Sequence, residues 1–458
     1  MESKQLLFIL LTFGFVPIAT WMGITFRWAE KALVAGAFFS TAYLIDINFV
    51  SMEIYRGDTR GFEIGITDWM ILSLLGVMLF SPRWRNRRFT SMPPNSVLLV
   101  CYLLLATISL FNAYVPVYAG FGLMKLIRGL TVFVVAYNYV QEEEDLRFII
   151  YILMGIVALE LLVVLNQRLS GIYRVAGTTP HSNTLAGYLN MINMIFFALL
   201  LGDKSNAKLY WPVLAAGTVM VLATFSRGAM AAMIMGYIVV IFLSYRHKID
   251  MRKTQILCLM AILAIPAGLK VGPAIIDRFL YAPEESGESR GLANTAAIAM
   301  ANDHILGIGL NNYSHVINET SYIKFIDNPV DRGIVHNIFL LHACEMGWIG
   351  MFVFILLTLN FLRLGLQSLK KIRSPFIGSC AIGITTAILV LTFQGGLEWL
   401  FRQTYITIEF FMLAGFLVAL PRISASTQRK EKVNTLLRNY LWNRDNHAYQ
   451  SSCAPTTI

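Results

Sequence analysis

The chain has 458 residues, of which 56% are hydrophobic and only 14% are charged, and its mean hydropathy is +0.61. These values exclude a soluble domain with a polar surface and indicate an integral membrane protein. The formal net charge of +10 requires no nucleic-acid partner, because the Lys and Arg residues fall in short loops, where they set membrane topology. The five cysteines are scattered and suggest neither a disulfide framework nor a metal cluster.

Apolar runs long enough to cross the hydrocarbon layer as helices recur along the chain. They lack the alternation of polar and apolar residues that an outer-membrane barrel requires, so the predicted fold is an all-α polytopic bundle of about twelve to thirteen transmembrane helices. Residues 1–421 form this transmembrane domain, and residues 422–458 form a basic cytoplasmic tail. The first run is predicted to be a retained helix and not a cleaved signal peptide. The runs are 6–26, 32–50, 66–82, 97–116, 120–140, 147–167, 184–202, 210–225, 228–244, 255–272, 337–361, 376–394 and 405–421.

The distribution of positive charge predicts the orientation in the membrane. Lys and Arg collect in 83–88, 246–253, 363–373 and the tail after Arg422, which should therefore face the cytoplasm. Counting spans between these clusters places four other connections on the opposite, periplasmic or exterior face. They are 168–183, the corner at Ser226 and Arg227, 273–335 and 395–404. The helix count leaves the side of the N-terminus open.

Residues 273–335 are predicted to form one long extracytoplasmic loop. Connections of this length are usually functional or disordered. The loop carries Arg290, and His336 follows it directly, at the point where a helix re-enters the membrane. A histidine on a rigid element can accept a proton near neutral pH.

Several polar features on the same face are candidates for ligand contact. Residues 51–65 are predicted to be a short solvated loop. Lys125 and Arg128 are about one helical turn apart, so they share a face of the fifth span. Because burying them in lipid is costly, they either line a cavity for an anionic ligand or extend to the lipid headgroups.

A turn-rich segment at residues 174–183 precedes the seventh span. Ser182 and Asn183 are residue types that often cap helices. Arg174 and His181 could contact a ligand from this turn, although helix capping alone explains most of the segment.

Arg227, Arg290 and His336 are the main candidates for chemistry. Each has a simpler explanation: Arg227 could extend to the membrane surface, Arg290 could pair with Glu285 or Glu288, and His336 could be an interfacial histidine.

Their predicted location on one face favours a shared site, in which guanidinium groups bind phosphate oxygens and a histidine accepts a proton. The sequence contains no Asp-x-Asp pair that could hold a metal on a nucleotide diphosphate. A glycosyl transfer from a lipid diphosphate without a metal or other cofactor fits these residues, because arginines can stabilise the charge on the leaving pyrophosphate.

The sequence resembles the superfamily of bacterial O-antigen ligases and polymerases. His336 and Asn337, followed by nine residues, Gly347, two residues and Gly350, resemble the ligase signature. The strings FSRGA (225–229) and ANDHILGIGLNNY (301–313) precede it in the family's order, so the resemblance covers about 174–361.

The resemblance implies a GT-C-like inner-membrane glycosyltransferase that uses an undecaprenyl-diphosphate-linked glycan on the periplasmic face. By resemblance, Arg227 and Arg290 hold the diphosphate, and His336 activates the acceptor hydroxyl, with inversion at the anomeric carbon. Asn337 is included among the substrate-binding candidates. Glu345 does not lie over His336 on a helix, so a catalytic role for it is not expected.

The resemblance leaves the acceptor open. The expected activity is that of a ligase, which transfers the glycan to the lipid A core and so builds lipopolysaccharide. The alternatives are a polysaccharide polymerase, which transfers it to another repeat unit, and a related oligosaccharyltransferase, which transfers it to protein. A transporter of an anionic substrate is the main alternative outside the enzymes, but the sequence shows no internal repeat that would favour it.

Overall fold

A computed structural model describes residues 3–52, 54–85, 87, 89–280 and 285–452. Across these residues the protein is an all-α bundle with one small β-hairpin, and the predicted fold class is confirmed. The first helices are α1 (Ser3–Leu10), α2 (Val16–Thr25), α3 (Arg27–Ala42), α4 (Ile66–Phe80), α5 (Ser96–Ile108), α6 (Pro116–Tyr139), α7 (Glu143–Leu169) and α8 (Ser182–Gly202). The others are α9 (Ala207–Ala223), α10 (Arg227–His247), α11 (Met251–Leu280), α12 (Glu285–Asp303), α13 (Tyr313–Glu319), α14 (Ile338–Leu369), α15 (Pro375–Gly395) and α16 (Thr404–Ser452).

The helices identify a multi-pass membrane protein. In the described parts of the chain, eight helices are long and apolar enough to cross a membrane, and three shorter apolar helices accompany them. A π-helical turn, Leu11–Phe15, joins α1 and α2 into one of the long helices. Eleven of the thirteen predicted apolar runs coincide with helices. The runs at 32–50 and 97–116 continue past the helix ends at Ala42 and Ile108.

Residues 46–65 form a β-hairpin in which β1 (Asp46–Ser51) pairs antiparallel with β2 (Gly61–Gly65). The predicted span at 32–50 is therefore wrong in its second half, because the helix ends at Ala42. The alternating apolar residues of β1 favour a strand over a continued helix. The predicted solvated loop at 51–65 is also wrong, since Tyr55 and the Asp58 side chain are buried.

Helices α8 and α15 occupy the centre of the bundle. Every residue of α8 from Thr184 to Leu201 is buried, including Asn190 and Asn193. Gly383 of α15 lies so close to Ile195 that a Cβ would be only 2.5 Å from its Cα. Small residues of this kind let membrane helices pack at short distance. The two helices form a scaffold in which the start of α8 lies beside the end of α15, and the end of α8 lies beside the start of α15.

Most of the described part of the long connection predicted at 273–335 is helical. Helix α11 continues to Leu280, and α12 contains Arg290. The sequence of α12 is rich in alanine, the strongest helix former, but is not apolar enough to resemble a membrane span. Its residues Ala296 and Met300 are fully buried against the rest of the protein.

Helix α14 is broken in its second quarter, at Met346 and Gly347. Gly347 has φ 72° and ψ 170°, a backbone conformation that essentially only glycine adopts. A Cβ at this position would also collide with the carbonyl oxygen of Ile305. The glycine that ends the nine-residue spacing in the sequence signature is therefore required by the backbone.

A turn from the preceding segment fills the break. The backbone amides of Ile308 and Gly309 donate to the carbonyls of Cys344 and Glu345, at 2.8 and 3.0 Å. Gly307 and Gly309 have φ angles of 78° and 99°, as the sequence led us to expect from their role as permissive turn residues. The turn and the break thus complete each other's hydrogen bonds.

The described part of the predicted tail is helical. Helix α16 continues without interruption from Thr404 to Ser452, so residues 422–452 extend the last membrane helix. Lys430 pairs with Glu142 at 2.8 Å, which links this extension to the start of α7. Residues 453–458 of the predicted tail lie outside the described residues.

Candidate active site

Glu398 is at the centre of the candidate site. It lies in the short connection between α15 and α16, and its side chain is only 7% exposed. Its Oε1 accepts hydrogen bonds from Asn183 Nδ2 and Arg290 Nη2, both at 2.7 Å, and its Oε2 accepts from His336 Nδ1 at 2.8 Å. One buried carboxylate therefore joins α8, α12 and the start of α14.

The contact with Glu398 fixes the tautomer of His336. A carboxylate can only accept a hydrogen bond, so Nδ1 of a neutral His336 must carry the proton, and Nε2 is left with its lone pair. Within the described residues Nε2 takes part in no hydrogen bond, and the side chain is 39% exposed. His336 is thus arranged to accept a proton from a molecule that reaches it from the exposed side.

Asn337 has a structural role beside His336. Its side-chain Oδ1 accepts from the amides of Phe339 and Leu340, at 3.0 and 3.2 Å, and caps α14. This cap satisfies amides that have no partner inside the helix. Asn337 can thereby orient the residue before it, and the contact of its side chain with substrate stays a prediction.

Arg290 lies on helix α12 and points at Glu398. The suggested pairing with Glu285 or Glu288 is replaced by this contact with a distant residue. The Arg290 side chain is 39% exposed, and a guanidinium carries five N–H donors. Arg290 can consequently keep its contact with Glu398 and still offer donors to an anion.

Arg227 is the first residue of α10, next to the same connection. A Cβ on its neighbour Gly228 would lie 3.1 Å from Leu397, the residue before Glu398. In the part of the chain that the structure describes, the partly exposed Arg227 side chain makes no ion pair. Its charge also lies at a helix N-terminus, where backbone amides add positive potential.

Arg174 reaches the site through one intermediate residue. Its guanidinium donates to Asn183 Oδ1 at 3.3 Å and to the Thr224 carbonyl at 3.2 Å, and Asn183 in turn donates to Glu398. Asn183 thus has a different role from the predicted helix cap. His181 occupies the cap position of α8, and its exposed side chain contributes no hydrogen bond to the cap.

Lys125 and Arg128 do not fit either of their predicted roles. Both are buried, Lys125 donates to the carbonyls of Asp58 and Arg402, and Arg128 contacts Asp68 at 2.7 Å. Arg128 also lies within 4.0 Å of Asp46 and Glu63. They neither extend to the membrane surface nor carry uncompensated charge into a cavity, because carboxylates inside the protein balance them.

A second buried network supports the connection that carries Glu398. Arg402, four residues further on, donates to Asp58 of the hairpin and to Glu345 of α14, at 2.8 Å for Glu345. Burial lowers the pKa of Arg402, but the two carboxylates outweigh burial and raise it above its ordinary value. Glu345 is thereby a structural residue, in agreement with its unfavourable spacing from His336.

Glu398 and Asn183 were missed in the sequence. The available signal was that Glu398 and Arg402 are the only charged residues between Arg373 and Glu409. An acidic residue in a short connection between two apolar helices is costly unless it has a partner. In the described residues, no group of three or more His, Cys, Asp or Glu side chains could hold a metal ion.

Comparison with known families matches part of this region. Residues 212–355, about a third of the chain, match the family model described as O-antigen ligase. The matched stretch contains Arg227, Arg290 and His336, whereas Asn183 and Glu398 lie outside it. A search of curated proteins finds no match.

Proposed function

We propose that this chain, a member of the O-antigen ligase and polymerase superfamily, transfers a glycan from an undecaprenyl-diphosphate carrier to a sugar hydroxyl on the periplasmic face of the bacterial inner membrane. His336 is the general base, Glu398 positions it, and Arg290 and Arg227 bind the diphosphate. The reaction requires no metal. The preferred acceptor is the lipid A core, as in a ligase.

The observation that carries the proposal is the shared carboxylate of Glu398, which contacts both His336 and Arg290. The proposed proton acceptor and phosphate-binding group thereby contact one buried carboxylate, and both of their side chains are 39% exposed. Glycosyl transfer from a diphosphate needs these two groups close together, because the acceptor hydroxyl and the leaving diphosphate occupy opposite sides of one anomeric carbon.

The chemical step balances with these residues. The acceptor oxygen forms a bond to the anomeric carbon while the bond between that carbon and the diphosphate oxygen breaks, and the leaving diphosphate takes the bonding electrons. The hydroxyl proton passes to His336 Nε2. Glu398 stabilises the imidazolium that forms, and the arginines stabilise the developing negative charge.

Transfer from a purified lipid-diphosphate glycan to an acceptor tests the proposal. Arg227→Ala, Arg290→Ala and His336→Ala should each abolish transfer while the protein still inserts into membranes. Arg56→Ala, which removes an exposed cation outside the site, should retain it. Transfer at the wild-type rate by any two of the three site variants would reject the site.

The acceptor decides between ligase and polymerase. A deletion strain that makes long glycan chains but leaves its lipid A core uncapped indicates a ligase, whereas a strain limited to single repeat units indicates a polymerase. Activity should persist in EDTA. Loss of activity in EDTA that magnesium restores would contradict the arginine-based mechanism.

A further inference from the structure

A polar cavity lies at the far end of the bundle from the candidate site. It has a volume of about 890 Å³ and is lined by the ends of α8, α10 and α15 that face away from Glu398. Each of these helices has 21 residues and so is roughly 30 Å long. The loops at this end of the bundle carry the positive charge that predicts a cytoplasmic location. The proposed glycosyl transfer does not involve the cavity.

The carboxylates in this cavity are already paired. Arg147 contacts Glu143 at 2.7 Å and Asp203 at 3.6 Å, and Lys204 contacts Asp250 at 3.0 Å. These are the three acidic residues among the lining residues. The negative charge of the cavity is therefore neutralised by Arg147 and Lys204.

Four further cations line the cavity: Lys248, Lys253, Arg373 and Lys432. In the described part of the chain none of these four forms an ion pair with a carboxylate. Like charges that converge on one cavity repel one another, so the arrangement is stabilised when an anion enters. The cavity has the charge of an anion site.

Two buried groups show that the site is built into the fold. Lys253 is only 4% exposed, and its ammonium donates to the carbonyls of Ser244 and Lys248, both at 2.6 Å, which leaves one of its three N–H donors. The hydroxyl of Ser244, which also lines the cavity, is buried without a hydrogen-bond partner. An oxygen-rich ligand would satisfy both groups.

The geometry points to a binding site for a phosphate group at this end of the protein. A phosphate carries several acceptor oxygens and up to two negative charges, which match the excess of lysine and arginine donors and the fork of Arg373. The N-terminus of α15, which begins at Pro375 in the cavity wall, adds positive potential. The phosphate belongs either to an anionic lipid headgroup or to a soluble molecule, and the chemistry of recognition is the same.

The test compares two double variants that remove the same charge. Lys248→Gln with Arg373→Gln alters two exposed cavity residues, whereas Lys370→Gln with Lys371→Gln alters two exposed cations on the same loop region outside the cavity. In one arm, inorganic pyrophosphate is titrated into detergent-solubilised protein and its affinity is measured by thermal shift. In the other, native mass spectrometry measures retention of phosphatidylglycerol from mixed nanodiscs.

We expect wild type to bind pyrophosphate, phosphatidylglycerol or both, and the control double variant at Lys370 and Lys371 to bind equally well. The cavity double variant at Lys248 and Arg373 should bind the same ligand at least about tenfold more weakly. Binding of pyrophosphate identifies a soluble ligand, and retention of phosphatidylglycerol alone identifies a headgroup. Absence of binding by wild type in both arms, or equal loss in the two double variants, would overturn the proposal. Neither readout depends on glycosyl transfer.

Discussion

Glu398→Gln keeps the size of the side chain and removes its negative charge. The carboxylate accepts three hydrogen bonds at 2.7 to 2.8 Å, two of which come from Arg290 and His336. Hydrogen bonds to charged groups contribute about 1.5–3 kcal/mol each. In the transition state the His336 ring becomes an imidazolium, which the Glu398 carboxylate stabilises. If Glu398→Gln loses one such contribution in the transition state alone, the transfer rate falls roughly 10- to 150-fold.

The assay is the initial rate of transfer from a lipid-diphosphate glycan, with thermal unfolding measured on the same samples. Glu288→Gln is the matched control, because Glu288 is exposed on the helix that carries Arg290. A wild-type transfer rate for Glu398→Gln, or an equal loss of rate in Glu288→Gln, would refute this assignment.

Three further predictions concern the framework of the site and are read by thermal unfolding in detergent. Arg402→Met leaves two buried carboxylates without a cation and should lower the free energy of unfolding by about 3–5 kcal/mol, whereas Lys370→Met should change it little. Gly347→Ala should lower the free energy of unfolding by at least about 1–3 kcal/mol, because residue 347 has a positive φ and its Cβ would collide with the backbone. Gly291→Ala is the control and should not destabilise the protein, because a Cβ there meets nothing within 4 Å. Asn337→Ala removes a helix cap and should cost about 0.5–2 kcal/mol, most of which Asn337→Ser should restore.

The sequence was sufficient to predict the membrane bundle and to single out Arg290 and His336 as candidates for one site. Hydrophobic runs report membrane spans directly, because the hydrocarbon layer sets a minimum length. Arg290 and His336 were identified from charge and position, and the structure brings both to one carboxylate. Glu398 was missed because it is 62 residues from His336 in the chain, and only packing brings them together.

Structure was missed in two places, for different physical reasons. Lys125 and Arg128 appeared to be uncompensated because their partners lie in a hairpin about sixty to eighty residues away, and Asp58 and Asp46 could not be assigned to them by spacing. The segment at 273–335 was predicted as a loop because α12 is helical through alanine and not through an apolar stripe. Both errors concern structure that depends on contacts between distant segments or on propensity alone.

The break in α14 has a consequence for how the protein assembles. It lies nine residues into the helix, roughly 13 Å from its start. Carbonyl groups exposed to hydrocarbon without a hydrogen bond at this depth would each cost several kcal/mol. The turn that donates to them comes earlier in the chain, so the ribosome has already made it when α14 is synthesised. The backbone hydrogen bonds of the interrupted helix can consequently form before α15 is made, whereas the buried Glu345 carboxylate gains its cation only when Arg402 follows.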